Sequence, residues 1–455
     1  MVEALDQEVK AIKAENRSTR IPLYDGVLVD KTMGYFHYTF ALKDELHLRN
    51  GTPLSIRFQG REYDGEIVSN DDGQVVVGIQ QNLGDHLKAV VLIIDAAFLL
   101  VKLKQRLDDV RRTKRWLNLD SAKRVLNPVS IEVRRKQPSK EVFGGLNSLN
   151  AEQHDAVCLA YGSNAAVVWG PPGTGKTTTL SHVVESHYRA GRSVLLVSNT
   201  NVAVDTALEK VVERLKDEPS FEAGDILRYG LMVKSDFVEE YGDFIQPDAV
   251  VRRLNPALAS EELRLNSQLQ SLKAAAKSIE ADHRKRGVDR AAATNKITIE
   301  TKAANDDLAR VESQLNTEKE RLIRNCRVIA TTVYQTYLYK GLDRQFDVVV
   351  VDEASMLMTP MTFYAAGLAG RTVVIAGDFR QLPPIVTSEG ALPEKWLKRD
   401  VFEHMGIVNA FDKGEVPPYV AFLTVQYRCQ GPSEITHFRT CFLPTFLRVV
   451  DNRSG

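Results

Sequence analysis

Three short stretches of this chain carry residue types suited to phosphate chemistry. The first, Gly170-Pro171-Pro172-Gly173-Thr174-Gly175-Lys176-Thr177-Thr178, fits G-x-x-x-x-G-K-[ST]. Its glycines allow backbone N–H groups to turn inward around a polyphosphate, and Lys176 brings a positive charge to the β- and γ-phosphates. Gly173, Thr174, Gly175, Lys176, Thr177 and Thr178 are therefore candidate nucleotide-binding residues, with the Thr177 hydroxyl a candidate Mg2+ ligand. The second stretch, Val348-Val349-Val350-Val351-Asp352-Glu353, carries two carboxylates at the end of an apolar run. Asp352 is placed to hold Mg2+ and Glu353 to orient or deprotonate an attacking water, the two tasks of triphosphate hydrolysis. A solvated acidic pair ending a strand is the plain alternative, and a phosphate loop in the same chain makes it minor. The third stretch, Gly377-Asp378-Phe379-Arg380-Gln381-Leu382-Pro383-Pro384, again follows an apolar run.

Such residues need rigid elements behind them. The apolar runs Ala165–Trp169, Ser193–Val197, Val348–Val351 and Thr372–Ala376 alternate with helical segments, the pattern of a parallel sheet buried on both faces. Ahead of them, residues 20–95 show short alternating runs broken by turn signals such as Asn50-Gly51 and Asp71-Asp72-Gly73, which suggests a small β-barrel. Leu99, Leu103, Leu107 and Val110 then mark one face of a helical stalk. Between Pro256 and Asn325 an apolar seam runs out through Leu258, Leu265, Leu269, Leu272 and Ile279. It returns through Ala304, Leu308, Val311, Leu315 and Leu322, predicting an antiparallel helical hairpin with its turn near Arg284–Gly287. The expected fold is thus α/β, a P-loop RecA-like parallel sheet with an N-terminal β-barrel and an inserted hairpin. The expected divisions are a barrel domain with a leading helix at 1–97, a stalk and linker at 98–145, and a RecA-like domain at 146–412 interrupted by the hairpin at 255–325.

The G-D-x-x-Q-L-P-P run resembles motif III of superfamily 1 helicases, in the branch that contains the nonsense-mediated-decay RNA helicase and senataxin. The resemblance covers most of the chain, with its motifs in order. It implies an ATP-dependent enzyme acting on single-stranded DNA or RNA, in which Gln381 senses the γ-phosphate and joins Lys176 and Glu353 as a catalytic residue. Leu149-Asn150-Ala151-Glu152-Gln153 resembles the motif whose glutamine, here Gln153, bonds adenine. Val425-Gln426-Tyr427-Arg428 resembles the start of the second core domain, so the resemblance makes 413–455 the start of a second RecA-like domain, in which Tyr427 would stack on adenine and Arg428 would contact the γ-phosphate. Thr200-Asn201-Val202-Ala203-Val204-Asp205 resembles motif Ia, and Thr331-Thr332 occupy the place of motif Ic. Thr200, Asn201, Thr331 and Thr332 are therefore the implied nucleic-acid contacts, with Tyr334 either a further contact or a packed core residue and Gln335 beside it. The family usually reads Q-Y-R-M-H-P, whereas Cys429-Gln430-Gly431-Pro432 follow Arg428 here. Only residues 429–455 lie beyond, against the ~100–150 of a second domain. This raises the expectation of a fragment, or of a chain relying on a protein partner, and keeps open a second function: a non-translocating ATP switch that regulates a partner.

Composition adds little. Lys plus Arg and Asp plus Glu each number 59, so net charge neither supports nor excludes a nucleic-acid partner. The basic runs at Arg111–Arg115 and Arg134–Lys136 are candidate phosphate contacts, although charge runs are usually solvated faces. Four dispersed cysteines exclude a zinc-finger or disulfide framework. The charged N-terminal stretch and the short apolar run Ala89–Val101 point to a chain with no membrane association and a cytoplasmic setting.

Overall fold

The structure is a computed structural model that describes residues 1–14, 19–32, 35–41, 53–71, 74–79, 81–94, 97–113, 117–139, 148–286, 290–427 and 448–449. It opens with helix α1 (Val2–Ala14). Six strands follow: β1 (Thr19–Thr32), β2 (Tyr35–Ala41), β3 (Pro53–Phe58), β4 (Arg61–Asp71), β5 (Gln74–Ile79) and β6 (His86–Ile94). They close into an antiparallel barrel in the order β1-β2-β5-β4-β3-β6. Closure leaves no free strand edge, and alternate residues such as Tyr38, Phe40, Ile56, Val75 and Val77 fill the interior. Helix α2 (Phe98–Thr113) forms the stalk, burying Leu100, Leu103, Leu107 and Val110. A short helix, α3 (Leu119–Arg124), leads to the core.

The leading helix was expected to belong with the barrel, and the structure corrects this. Ala4, Leu5, Val9 and Ile12 of α1 pack in the same apolar cluster as α2 and one face of the central sheet. The cause is the amphipathic spacing of α1, which needs a broad apolar partner; the barrel spends its apolar side chains on its own interior.

The core contains α4 (Ala151–Gly162), β7 (Ala165–Trp169), α5 (Lys176–Arg189), β8 (Val194–Ser198), α6 (Asn201–Leu215) and β9 (Ile226–Arg228). After α7 (Ser235–Ile245) and α8 (Pro247–Leu254) come the two long helices α9 (Pro256–Arg286) and α10 (Arg290–Asn325). The sheet then resumes with β10 (Val328–Thr332), β11 (Phe346–Val351), β12 (Ala369–Gly377) and β13 (Val420–Phe422). Seven strands lie in the order β13-β7-β12-β11-β8-β10-β9, and each described pairing among them is parallel. The four-valine run explains itself here: Val349 and Val351 face one apolar cluster, Val348 and Val350 the other. A strand covered on both faces has no use for alternation.

Strand β13 completes the edge of this sheet beside β7, so the first RecA-like unit runs past the boundary expected at residue 412. Tyr419-Val420-Ala421-Phe422 is too short a run to announce itself as a strand; its pairing with β7 makes it one. Helices α9 and α10 form the expected hairpin, held at its base by Leu265, Val311 and Leu315 with Leu258, Leu308 and Leu322 against them. The turn expected at Arg284–Gly287 falls later, because α9 continues through Arg286; residues 287–289 lie outside the described residues. An ion pair from Lys273 of α9 to Asp85 ties the arm to the barrel. Among the described residues no helix is long and apolar enough to cross a membrane, and the described cysteines Cys158 and Cys326 are buried free thiols.

Candidate functional site

Strand β7 ends at Trp169, and the chain turns through Gly173 (φ +86°) and Gly175 (φ +82°) before α5 begins at Lys176. Both angles lie in the left-handed region that glycine adopts without strain. Each carbonyl from Trp169 to Gly175 is tied to a donor of the protein. Trp169 O accepts from Leu423 N at 2.8 Å, Gly170 O from Lys176 Nζ at 2.6 Å, and Pro171 O from Thr174 Oγ1 at 2.8 Å. Pro172 O accepts from Gln426 Nε2 at 2.6 Å and Gly173 O from Tyr427 N at 2.9 Å. Thr174 O accepts from Gln153 Nε2 at 3.2 Å and Gly175 O from Thr179 N at 2.9 Å. With these carbonyls already bonded, the loop's amide hydrogens are the groups left for a ligand. Those of the first turn of α5 have no intrahelical acceptor, the arrangement that receives an anion. Thr177 and Thr178 stand half-exposed on that turn.

Strands β11 and β12 deliver the other groups to the same rim, because Gly377 pairs with Trp169 and Val351 with Ile375 in register. Asp352 is 3 % exposed. Burial pushes its carboxyl up to about 7, the neighbouring Glu353 charge adds to this, and the Lys176 ammonium opposes it. Asp378 is also buried and raised, against the Arg380 amide and again Lys176. Its Oδ2 accepts from Gln381 Nε2 at 3.3 Å. Lys176 therefore senses Asp352 and Asp378 together, and Gln381 reaches the phosphate loop through Asp378. Glu353 takes a left-handed backbone conformation (φ 52°), uncommon for a non-glycine residue and a mark of functional turns. Its Oε2 is buried without a hydrogen-bond partner. Phe379 fixes the motif by stacking on Trp169 with centroids 5.2 Å apart.

Mg2+ fits this donor set. A buried carboxylate, an adjacent orphaned carboxylate oxygen and the Thr177 hydroxyl suit a hard cation that takes most of its ligands from phosphate and water. Among the described residues no group of three or more His, Cys, Asp or Glu is placed to hold a metal alone.

Sequence reasoning missed how the nucleotide motifs hold one another. Asn150 caps α4 in a reciprocal capping box with Gln153, and its Nδ2 donates to Tyr427 OH at 2.7 Å. Glu152 of the same turn accepts from Thr424 N at 2.6 Å. The asparagine three residues before Gln153 was the available signal. Gln153 spends one amide hydrogen on Thr174 O and its carbonyl on Asn150 N, so any adenine contact uses its second N–H. Tyr427 is 45 % exposed, and Arg428 lies outside the described residues.

The expected nucleic-acid residues divide. Thr200 is exposed and caps α6 through Ala203 N at 3.2 Å. Asn201 Oδ1 accepts from Arg228 at 2.9 Å. Thr331 is fully buried and Thr332 is 7 % exposed. They end β10, which pairs with β8 along its whole length and with β9 only as far as Ala330. Tyr334 is a packed tyrosine: its hydroxyl donates to Asn199 at 2.6 Å, and burial pushes the phenol up to about 12. Gln335 is half-exposed. Arg135 pairs with Asp155 at 2.8 Å, a structural contact, and Lys114 and Arg115 lie outside the described residues.

A family described as AAA domain matches residues 148–389. The chain is 25 % identical over 302 residues to an uncharacterised ATP-dependent helicase of Methanocaldococcus jannaschii, covering 62 % of this chain and 42 % of that protein. It is 28 % identical over 293 residues to DNA-binding protein SMUBP-2 of Mesocricetus auratus (62 % and 26 %). It is 26 % identical over 281 residues to the ATP-dependent helicase upf1 of Schizosaccharomyces pombe (60 % and 26 %). The chain thus spans less than half the length of each of these relatives. Phosphate loop, acidic pair and glutamine motif on one rim, within the matched residues, lead to one conclusion: the chain belongs to this AAA-domain family and to the superfamily 1 helicase branch of its relatives.

Proposed function

We propose that this chain is the ATP-hydrolysing module of a translocase that moves along single-stranded DNA or RNA in the cytoplasm. The observation that carries the reading is the strand register that brings Lys176, Asp352 and the Asp378–Gln381 pair to one rim of the sheet, beside the phosphate loop. Lys176 exchanges its bond to Gly170 O for phosphate oxygens. Thr177 and Asp352 would hold Mg2+, which when bound supplies charge neutralisation on the phosphates. Glu353 offers its orphaned Oε2 to the attacking water, orienting it and accepting its proton at that atom. Gln381, tethered by Asp378, reports the γ-phosphate position to the segment that follows it. Tyr427 and Gln153, bridged by Asn150, would enclose adenine, and Thr200 at the exposed start of α6 would meet a strand phosphate.

The test is ATP turnover with and without single-stranded oligonucleotides, in this chain and in any longer protein containing it. Stimulation by strands is expected, and its absence overturns the reading. Nucleotide binding with no strand-stimulated turnover would instead favour the ATP switch acting on a partner. The Lys176→Ala variant should lose nucleotide binding in either case.

A further inference from the structure

The barrel, the helical arm and the far edge of the sheet meet around a cavity of about 300 Å³, at the small end of the range for ligand sites. It lies at the C-terminal end of β9, away from the phosphate loop, with Arg228, Tyr229 and Gly230 on its floor. Arg228 joins this floor to Asn201 of the expected strand-binding motif through the 2.9 Å bond already described. The cavity therefore begins where a strand held by Thr200 and Asn201 would pass.

Its chemistry is selective. One wall is the stacked pair Tyr229 and Tyr339, with centroids 4.4 Å apart and planes at 14°; Tyr35 of the barrel contributes another aromatic ring. Two exposed amides, Gln81 from the barrel and Asn316 from the arm, stand at the mouth, each able to donate and accept. Its cations are already paired, and the exposed Glu320 adds negative charge at the rim. Lys319 bonds Asp248 at 2.8 Å, and Arg228 bonds Asp205 at 2.7 Å with both side chains fully buried. A cavity with its cations spent is a poor host for phosphate. Aromatic walls beside bifunctional amides suit a flat, uncharged heterocycle. Gly230, at φ +94°, allows the turn in the floor.

We propose that this junction cavity is a nucleobase pocket, taking one unstacked base of the bound single strand against Tyr339 and Tyr35 with its edge toward Gln81 and Asn316. The proposal rests on the strand-binding reading above and gives both accessory elements a shared task. Each supplies a wall to the cavity, so the base is gripped only while barrel and arm are seated on the core.

The experiment is an abasic scan on the unaltered chain. Fluorescently labelled deoxy- and ribo-oligonucleotides, each lacking one base at a different position, are titrated and their affinities read by anisotropy. One position should weaken binding by roughly tenfold, the weight of a single stacked base. That penalty should vanish in Tyr339→Leu and shrink in Gln81→Ala, whose exposed side chain keeps the second variant free of folding effects. A flat scan in a chain that still binds intact strands overturns the pocket and leaves strand binding standing. Failure to bind any strand overturns both, and the two results are told apart by the intact oligonucleotide alone.

Discussion

Replacing Asp205 by alanine tests how the proposed strand-binding motif at Thr200–Asp205 is held. Asp205 and Arg228 are both fully buried. Asp205 Oδ1 accepts from Arg228 Nε at 2.7 Å, while Oδ2 accepts from Val233 N at 2.7 Å and Lys234 N at 3.2 Å. Removing the carboxylate strands a guanidinium in the interior, which costs about 3–5 kcal/mol, and leaves the half-buried amides of Val233 and Lys234 to be satisfied by water. A loss of about 3–5 kcal/mol follows, a large part of the whole stability of a typical domain at ~5–15 kcal/mol. Urea unfolding followed by tryptophan fluorescence reads it, Trp169 lying buried in the same sheet. Two comparisons sharpen the result. The half-exposed pair Lys234–Glu209 should yield under about 1 kcal/mol when Glu209→Gln breaks it. The double variant Asp205→Leu/Arg228→Met should recover most of the charge-related loss, because no ion is then left unpaired. A midpoint for Asp205→Ala within about 1 kcal/mol of the parent, at unchanged slope, would refute the reasoning.

Three further expectations follow from the same structure. Glu353→Gln should bind nucleotide normally and lose turnover by roughly 10²–10⁴-fold, as expected for a proton acceptor; full turnover in single-round hydrolysis assays would remove Glu353 from that role. Gly175→Ala should weaken nucleotide binding at least severalfold in calorimetry. Its Cβ would sit 2.5 Å from Gln153 Nε2, and the left-handed backbone adds about 1–2 kcal/mol of strain. In the barrel, Glu66 is buried and its carboxyl is raised from 4.5 to about 7 by desolvation, with Arg228 opposing. The folded state thus holds a proton that the unfolded chain has released between these values, and stability falls as pH rises across that window. Glu66→Gln should flatten the decline and stabilise the barrel above pH 7 by roughly 3 kcal/mol; an unaltered pH profile would count against a neutral Glu66.

The sequence alone determined the parts whose physics is local. A glycine-lysine-threonine turn after an apolar strand, two carboxylates behind four valines, and a heptad seam that folds back each depend on neighbours a few residues away, so Lys176, Asp352, Glu353 and the hairpin of α9 and α10 were legible. Gln381 was legible as a motif but not in its tether to Asp378, which the backbone turn of residues 378–381 creates. Long-range packing decided the rest. Glu8, 1 % exposed, accepts from Thr387 N at 2.8 Å and Ser388 N at 2.7 Å, across 379 and 380 positions of sequence. No periodicity within α1 announces that contact. The burial of Thr331, the packing of Tyr334, the strand at Val420–Phe422 and the cavity beneath barrel and arm likewise depend on strand order in the sheet. Short-range pattern fixes which residues sit at strand ends; only the tertiary arrangement sets which of those ends meet, because burial is a property of the assembled core and not of any one segment.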